Sequence, residues 1–155
     1  MKHSFRSKSV EETIRFGSKL GRALTPGTVL GLKGGLGSGK TTLIQGISEG
    51  LGVQRKEVKS PTFVIFHIYK GLFPVYHFDL YRLEKEEELA AIGFEEFVSD
   101  PAVISLVEWA EKARALLPDD VILIHLHIKG PEEREFALEA TGPKSKAIIQ
   151  KFLKK

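Results

Sequence analysis

The stretch GGLGSGKTT, Gly34 to Thr42, leaves few architectures open. A glycine, four residues, then Gly39-Lys40-Thr41 is the spacing of a phosphate-binding loop, which works between a buried strand and the start of a helix. Both neighbours are legible. TVLGLK, just before the loop, is short, apolar and rich in branched residues, as a buried strand is. After it, Leu43, Ile47 and Leu51 fall on one helical face, and Gly52 stands where a left-handed cap would end the helix. Glycines let successive main-chain amides turn toward a β-phosphate, and the helix adds its positive end. Lys40 would reach the β- and γ-phosphate oxygens and Thr41 Oγ would hold Mg²⁺. Gly34, Leu36, Gly37, Ser38, Gly39 and Thr42 complete the expected nucleotide contacts. Guanine-specific switches of this class carry an Asn/Thr-Lys-x-Asp element, which this asparagine-free chain lacks, so ATP is the expected nucleotide.

The rest of the chain extends the strand-loop-helix unit into one domain over 1–155, a length that buries a sufficient core without dividing. SVEETIRFGSKLGRAL opens on a capping box, Ser9 with Glu12, and reads as a helix ended by TPG. TFVIFHIYK and FPVYHFDL are β-rich and turn at Lys70-Gly71. EKEEELAAIGFEEFVSD is a helical acidic connection broken at Gly93, and AVISLVE is a buried strand. WAEKARALL is a short helix stopped by Pro118. DVILIHLHI and REFALEAT form a hairpin, and KSKAIIQKFLKK closes as a helix. The expected class is α/β, a P-loop domain with a mixed, largely parallel sheet flanked by helices. No apolar run is long enough to cross a bilayer, no secretory signal stands at the start, and there is no cysteine, so a cytoplasmic location is expected. The net charge of +3 is too small to favour DNA or membrane binding on electrostatics, and the lysines of the last helix read as a solvated face. Sixteen lysines and sixteen glutamates with no asparagine follow the trend of heat-adapted proteins.

A phosphate loop needs carboxylates at neighbouring strand ends, where open α/β sheets collect their ligands. FPVYHFD ends in Asp79 and VISLVE in Glu108. Asp79 reads as the magnesium-side carboxylate; Glu108 reads as the group that orients or deprotonates the attacking water and also faces the metal. Thr62, in KSPTF, stands where switch proteins place a γ-phosphate sensor. His125 and His127 share a strand face and His77 precedes Asp79 by two, but without a third clustered ligand all three read as exposed strand positions.

Together GGLGSGKTT, SPTF at Ser60 to Phe63, HFDLYRL at His77 to Leu83 and LVEWAE at Leu106 to Glu111 resemble the TsaE (YjeE) ATPases, which serve threonylcarbamoyladenosine (t6A) modification of tRNA. The resemblance covers nearly the whole chain. It implies a P-loop ATPase fold with Mg²⁺ at Thr41 and Asp79 or Glu108, and hydrolysis that depends on Glu108. It also implies that Thr13 lies by the nucleotide, that Trp109 is a switch-region aromatic and that Arg134 is a basic contact. The implied partners are TsaB and TsaD subunits, with tRNA met only indirectly. No arginine is obviously spaced to stabilise a transferring phosphate, so hydrolysis by the chain alone is expected to be slow and raised by those partners. A small-molecule or nucleoside kinase is the alternative reading of the same loop, although no arginine-rich lid accompanies it.

Overall fold

The computed structural model describes residues 2–58 and 66–154; Thr62 and the SPTF stretch lie outside them. In chain order the elements are β1 (Lys2–Ser7), α1 (Val10–Ala23), β2 (Val29–Lys33), α2 (Lys40–Gly50), β3 (Phe66–Lys70), β4 (Pro74–Asp79), α3 (Glu86–Ala91), α4 (Phe94–Val98), β5 (Ile104–Glu108), β6 (Ile122–Ile128), β7 (Arg134–Ala140) and α5 (Pro143–Leu153). Seven strands make one sheet in the order β1-β7-β6-β2-β5-β4-β3. The central four, β6, β2, β5 and β4, run parallel, and the outer pairings of β1 with β7, β7 with β6 and β3 with β4 are antiparallel. The sheet is therefore mixed, as expected, with its parallel part concentrated around the strand that enters the glycine loop.

Two apolar layers cover the sheet, and strand parity assigns residues to them. Leu30 and Leu32 of β2, Ile104 and Leu106 of β5, and Ile122, Ile124 and Leu126 of β6 face the layer that contains α1, α2 and α5. Val29, Phe78 and Val107 face the other, beneath α3, α4 and the 3₁₀ segment Ala110–Leu116. That segment replaces the expected helix over WAEKARALL; it follows a left-handed Trp109 and is interrupted at Ala113 (φ −123°), so no α-helical ladder is established.

Within the first layer, α1 and α2 form the closest helix pair. Ser9 caps α1, accepting from Glu12 N at 3.1 Å, and Glu12 Oε2 accepts from Lys8 N at 2.7 Å, one residue further back than a standard capping box. On its inner face α1 presents Gly17 and Gly21, and α2 presents Gly46 and Gly50. A Cβ at Gly17 would come within 2.8 Å of Ile47 N, and one at Gly46 within 2.6 Å of Ile14 O. The backbones thus touch directly along a seam of small residues, a closeness that the apolar periodicity alone does not announce. β1 was not anticipated at all. Its exposed residues Lys2, Ser4 and Arg6 alternate with His3, Phe5 and Ser7; Phe5 lies 5.2 Å from Phe16 and 5.6 Å from Phe152 between ring centroids, which ties the edge strand to α1 and α5.

Candidate phosphate-binding site

β2 delivers the chain to the loop at the carboxyl edge of the sheet, and α2 begins at Lys40 with Gly39 at its N-cap in a left-handed conformation (φ 97°). A residue with a Cβ would be strained there. Ser38, buried, donates its N–H to Gly35 O at 3.2 Å and folds the loop back on itself. Lys40 is buried and turned toward the loop, its Nζ donating to Gly34 O at 2.6 Å and Gly35 O at 2.8 Å, and it lies 4.0 Å from the centroid of the Trp109 ring. Burial pushes the lysine below its ordinary range, with Glu108, Glu111 and Asp79 opposing the shift. Arg134 clamps the loop from the start of β7: Nε donates to Ser38 O at 3.2 Å and Nη2 to Gly37 O at 3.1 Å, while Nη1 bonds carbonyls of the 130–133 turn. Because a planar peptide carries its N–H opposite its carbonyl, holding Ser38 O fixes the direction of the Gly39 N–H.

The carboxylates arrive by register. β4 and β5 are parallel with Asp79 beside Glu108, and β2 places Leu32 on the other side of Glu108. Glu108 is almost wholly buried. Its Oε1 accepts from Thr41 Oγ1 at 3.3 Å, and its Oε2 is 2.6 Å from His77 Nε2. Burial, and then the neighbouring Glu108 charge, push the half-buried Asp79 carboxyl above its usual range against the Tyr81 N–H, His77 and Lys40. Two crowded carboxylates and a hydroxyl offer oxygens suited to a hard divalent cation, beside a loop of amides suited to a phosphate chain.

The expected residues are not all gathered. Lys40, Thr41, Asp79, Glu108, Trp109 and Arg134 converge on the loop. Thr42 is half-buried in the first turn of α2, and Leu36 stands exposed at the loop tip. Thr13 is buried in α1, where its hydroxyl bonds Ser7 Oγ at 2.7 Å. The reading of His77 as an exposed strand position is corrected: it is fully buried, because β4 lies between β5 and β3 with its His77 side under the first layer. His127 is half-buried, and only His125 is exposed as read. Tyr69, whose hydroxyl is 2.9 Å from His77 Nδ1, was missed. The available signal was parity, since His77 and Asp79 must share a face.

The model of the threonylcarbamoyl adenosine biosynthesis protein TsaE matches residues 7–136. The chain belongs to the TsaE family. It is 38% identical over 149 residues to the tRNA threonylcarbamoyladenosine biosynthesis protein TsaE of Bacillus subtilis, covering 96% of this chain and 92% of that one. It is 37% identical over 132 residues to the TsaE of Treponema pallidum, covering 85% and 96%. The crystal structure of Bacillus subtilis YdiB superposes with a TM-score of 0.80 at 32% identity, over 99% of this chain and 95% of that one. Family membership associates the chain with t6A biosynthesis, and the matched region includes every residue that converges on the loop.

Proposed function

We propose that the chain binds Mg²⁺-ATP at the glycine loop and hydrolyses it slowly, as a nucleotide-dependent switch acting with TsaB and TsaD type subunits in t6A modification of tRNA. The observation that carries this reading is the convergence of Lys40, Thr41, Asp79 and Glu108 at one strand-edge site. Lys40 exchanges its bonds to the Gly34 and Gly35 carbonyls for phosphate oxygens, and Arg134 keeps the loop from collapsing when they are released. Thr41 and Asp79 supply oxygens to the cation, with Glu108 beside them. Bound Mg²⁺ supplies charge neutralisation to the phosphates. Glu108 orients a water and holds its proton. Trp109 follows Glu108 directly, so a displacement of the carboxylate moves the ring that now covers Lys40, and partner affinity changes with the occupant of the loop. In this reading Thr62 senses the γ-phosphate.

Calorimetry with Mg²⁺-ATP, paired with phosphate release measured with and without the two partner subunits, tests this. Expected are Mg²⁺-dependent uptake that Lys40→Ala abolishes and a rate that rises with the partners. Uptake insensitive to Lys40 overturns the site, and equal rates overturn the switch.

A further inference from the structure

We infer that His77, oriented by Tyr69, is the positioning residue that sets the direction of Glu108; the inference rests on the reading of Glu108 as the carboxylate that handles water. The geometry is a continuous chain of side chains across three strands and a helix. Tyr69 of β3 meets His77 Nδ1 at 2.9 Å, His77 Nε2 meets Glu108 Oε2 at 2.6 Å, and Glu108 Oε1 meets Thr41 Oγ1 at 3.3 Å. An ionised carboxylate only accepts, so Nε2 carries the proton toward Glu108, while Nδ1 shares its bond with the Tyr69 hydroxyl. Both ring nitrogens are then engaged, and the imidazole cannot rotate without breaking two buried bonds. One oxygen of Glu108 is held from within the sheet, and the other is left toward the loop.

Packing alone does not call for this arrangement. His77 stands between Tyr76 and Phe78 on a strand whose Val75 and Phe78 are fully buried, and an apolar pair of similar volume in place of His77 and Glu108 would fill the same space without desolvating an imidazole and a carboxylate. The His77–Glu108 pair therefore contributes direction more than cohesion. Catalytic carboxylates act only within a narrow geometry, and the residues that lock their rotamers come from the shell behind them.

The test uses the full chain with His77→Leu, His77→Gln and Tyr69→Phe, reading Mg²⁺-ATP affinity, kcat, and the emission of Trp109, the single tryptophan, without nucleotide. In His77→Leu, ATP affinity is expected to stay within about threefold while kcat falls by about tenfold or more. His77→Gln, whose amide replaces the Nε2 donor, recovers most of that loss, and Tyr69→Phe is intermediate. Trp109 emission shifts in His77→Leu and returns in His77→Gln. The inference is overturned by wild-type kcat and emission in folded His77→Leu, or by a Gln variant as impaired as the Leu variant. Should His77→Leu fail to fold, Tyr69→Phe with unchanged kcat and emission overturns it. Failure of the parent chain to take up Mg²⁺-ATP would instead remove the ATPase reading, and the emission arm would still decide whether His77 places the Glu108–Trp109 segment.

Discussion

Trp109 is the one described residue other than glycine with a positive φ, 59°, and it sits between the Glu108 carboxylate and the 3₁₀ segment. A left-handed conformation costs an L-residue about 1–2 kcal/mol. Here it is held by the Tyr81 ring at 5.2 Å, by Lys40 over its face, and by Lys112, whose Nζ donates to the carbonyls of Tyr81 and Leu83. Truncation should reveal the backbone contribution: Trp109→Gly should be about 1 kcal/mol more stable than Trp109→Ala in urea melts, since only glycine is free of the conformational cost. An Ala variant equal to or more stable than the Gly variant would contradict it. At the other end of the molecule, Asp120 accepts from Lys144 N at 2.8 Å and Ser145 N at 3.0 Å. Burial alone would raise its carboxyl, but the bonds from Ser145 and then Lys144 outweigh it and hold Asp120 below the usual range. A depressed native value means stability that is present above the unfolded pKa, about 3.9, and is lost as pH falls through the native one. Asp120→Ala should cost about 1 kcal/mol at neutral pH, as loss of a helix cap does, and the difference from the parent should vanish in acid melts. A gap that persists below that range would assign the effect to packing.

Between elements, the closest approach is the glycine seam of α1 and α2. Gly46→Ala would gain about 1 kcal/mol of helix propensity, but its methyl meets the Ile14 main chain, which cannot swing aside, and overpacking typically costs about 1–3 kcal/mol. Net destabilisation is expected in thermal melts, with Gly35→Ala, which meets nothing within 4 Å, nearly neutral for stability. A stabilised Gly46→Ala would show that the helices can separate. The seam also shows where sequence reading stops. Short-range signals identified α1, β2, α2, the β3–β4 and β6–β7 hairpins, β5 and α5, because caps, turns and periodicity act over a few residues. β1 escaped because an edge strand needs only one apolar face, and KHSFRS carries one phenylalanine among polar residues. In the site, Lys40, Thr41, Asp79 and Glu108 were legible from spacing and strand ends. The buried state of His77 was not, because it depends on which strands flank β4, a property of the sheet order. The WAEKARALL stretch read as a helix for a related reason: nothing local betrays that Trp109 enters it left-handed.

Across the whole molecule the sheet separates two apolar layers. On one side α1, α2 and α5 enclose the larger layer; on the other, α3, α4 and the 3₁₀ segment cover the smaller one, and Trp109, packed on Tyr81, reaches Lys40 at the loop. Mg²⁺-ATP at a hundredfold its Kd should stabilise the chain by about 2.7 kcal/mol and raise Tm by about 5–10 °C, while Lys40→Ala should show no such rise. Absence of a shift in the parent chain would count against nucleotide uptake. With backbone resting on backbone between Ile14 and Gly46 and between Gly17 and Ile47, the helix behind the loop has no room to slide or roll. In the proposed switch, the movement that follows phosphate cleavage would therefore fall to the stretch that begins at Trp109, with the α1–α2 pair as its fixed support.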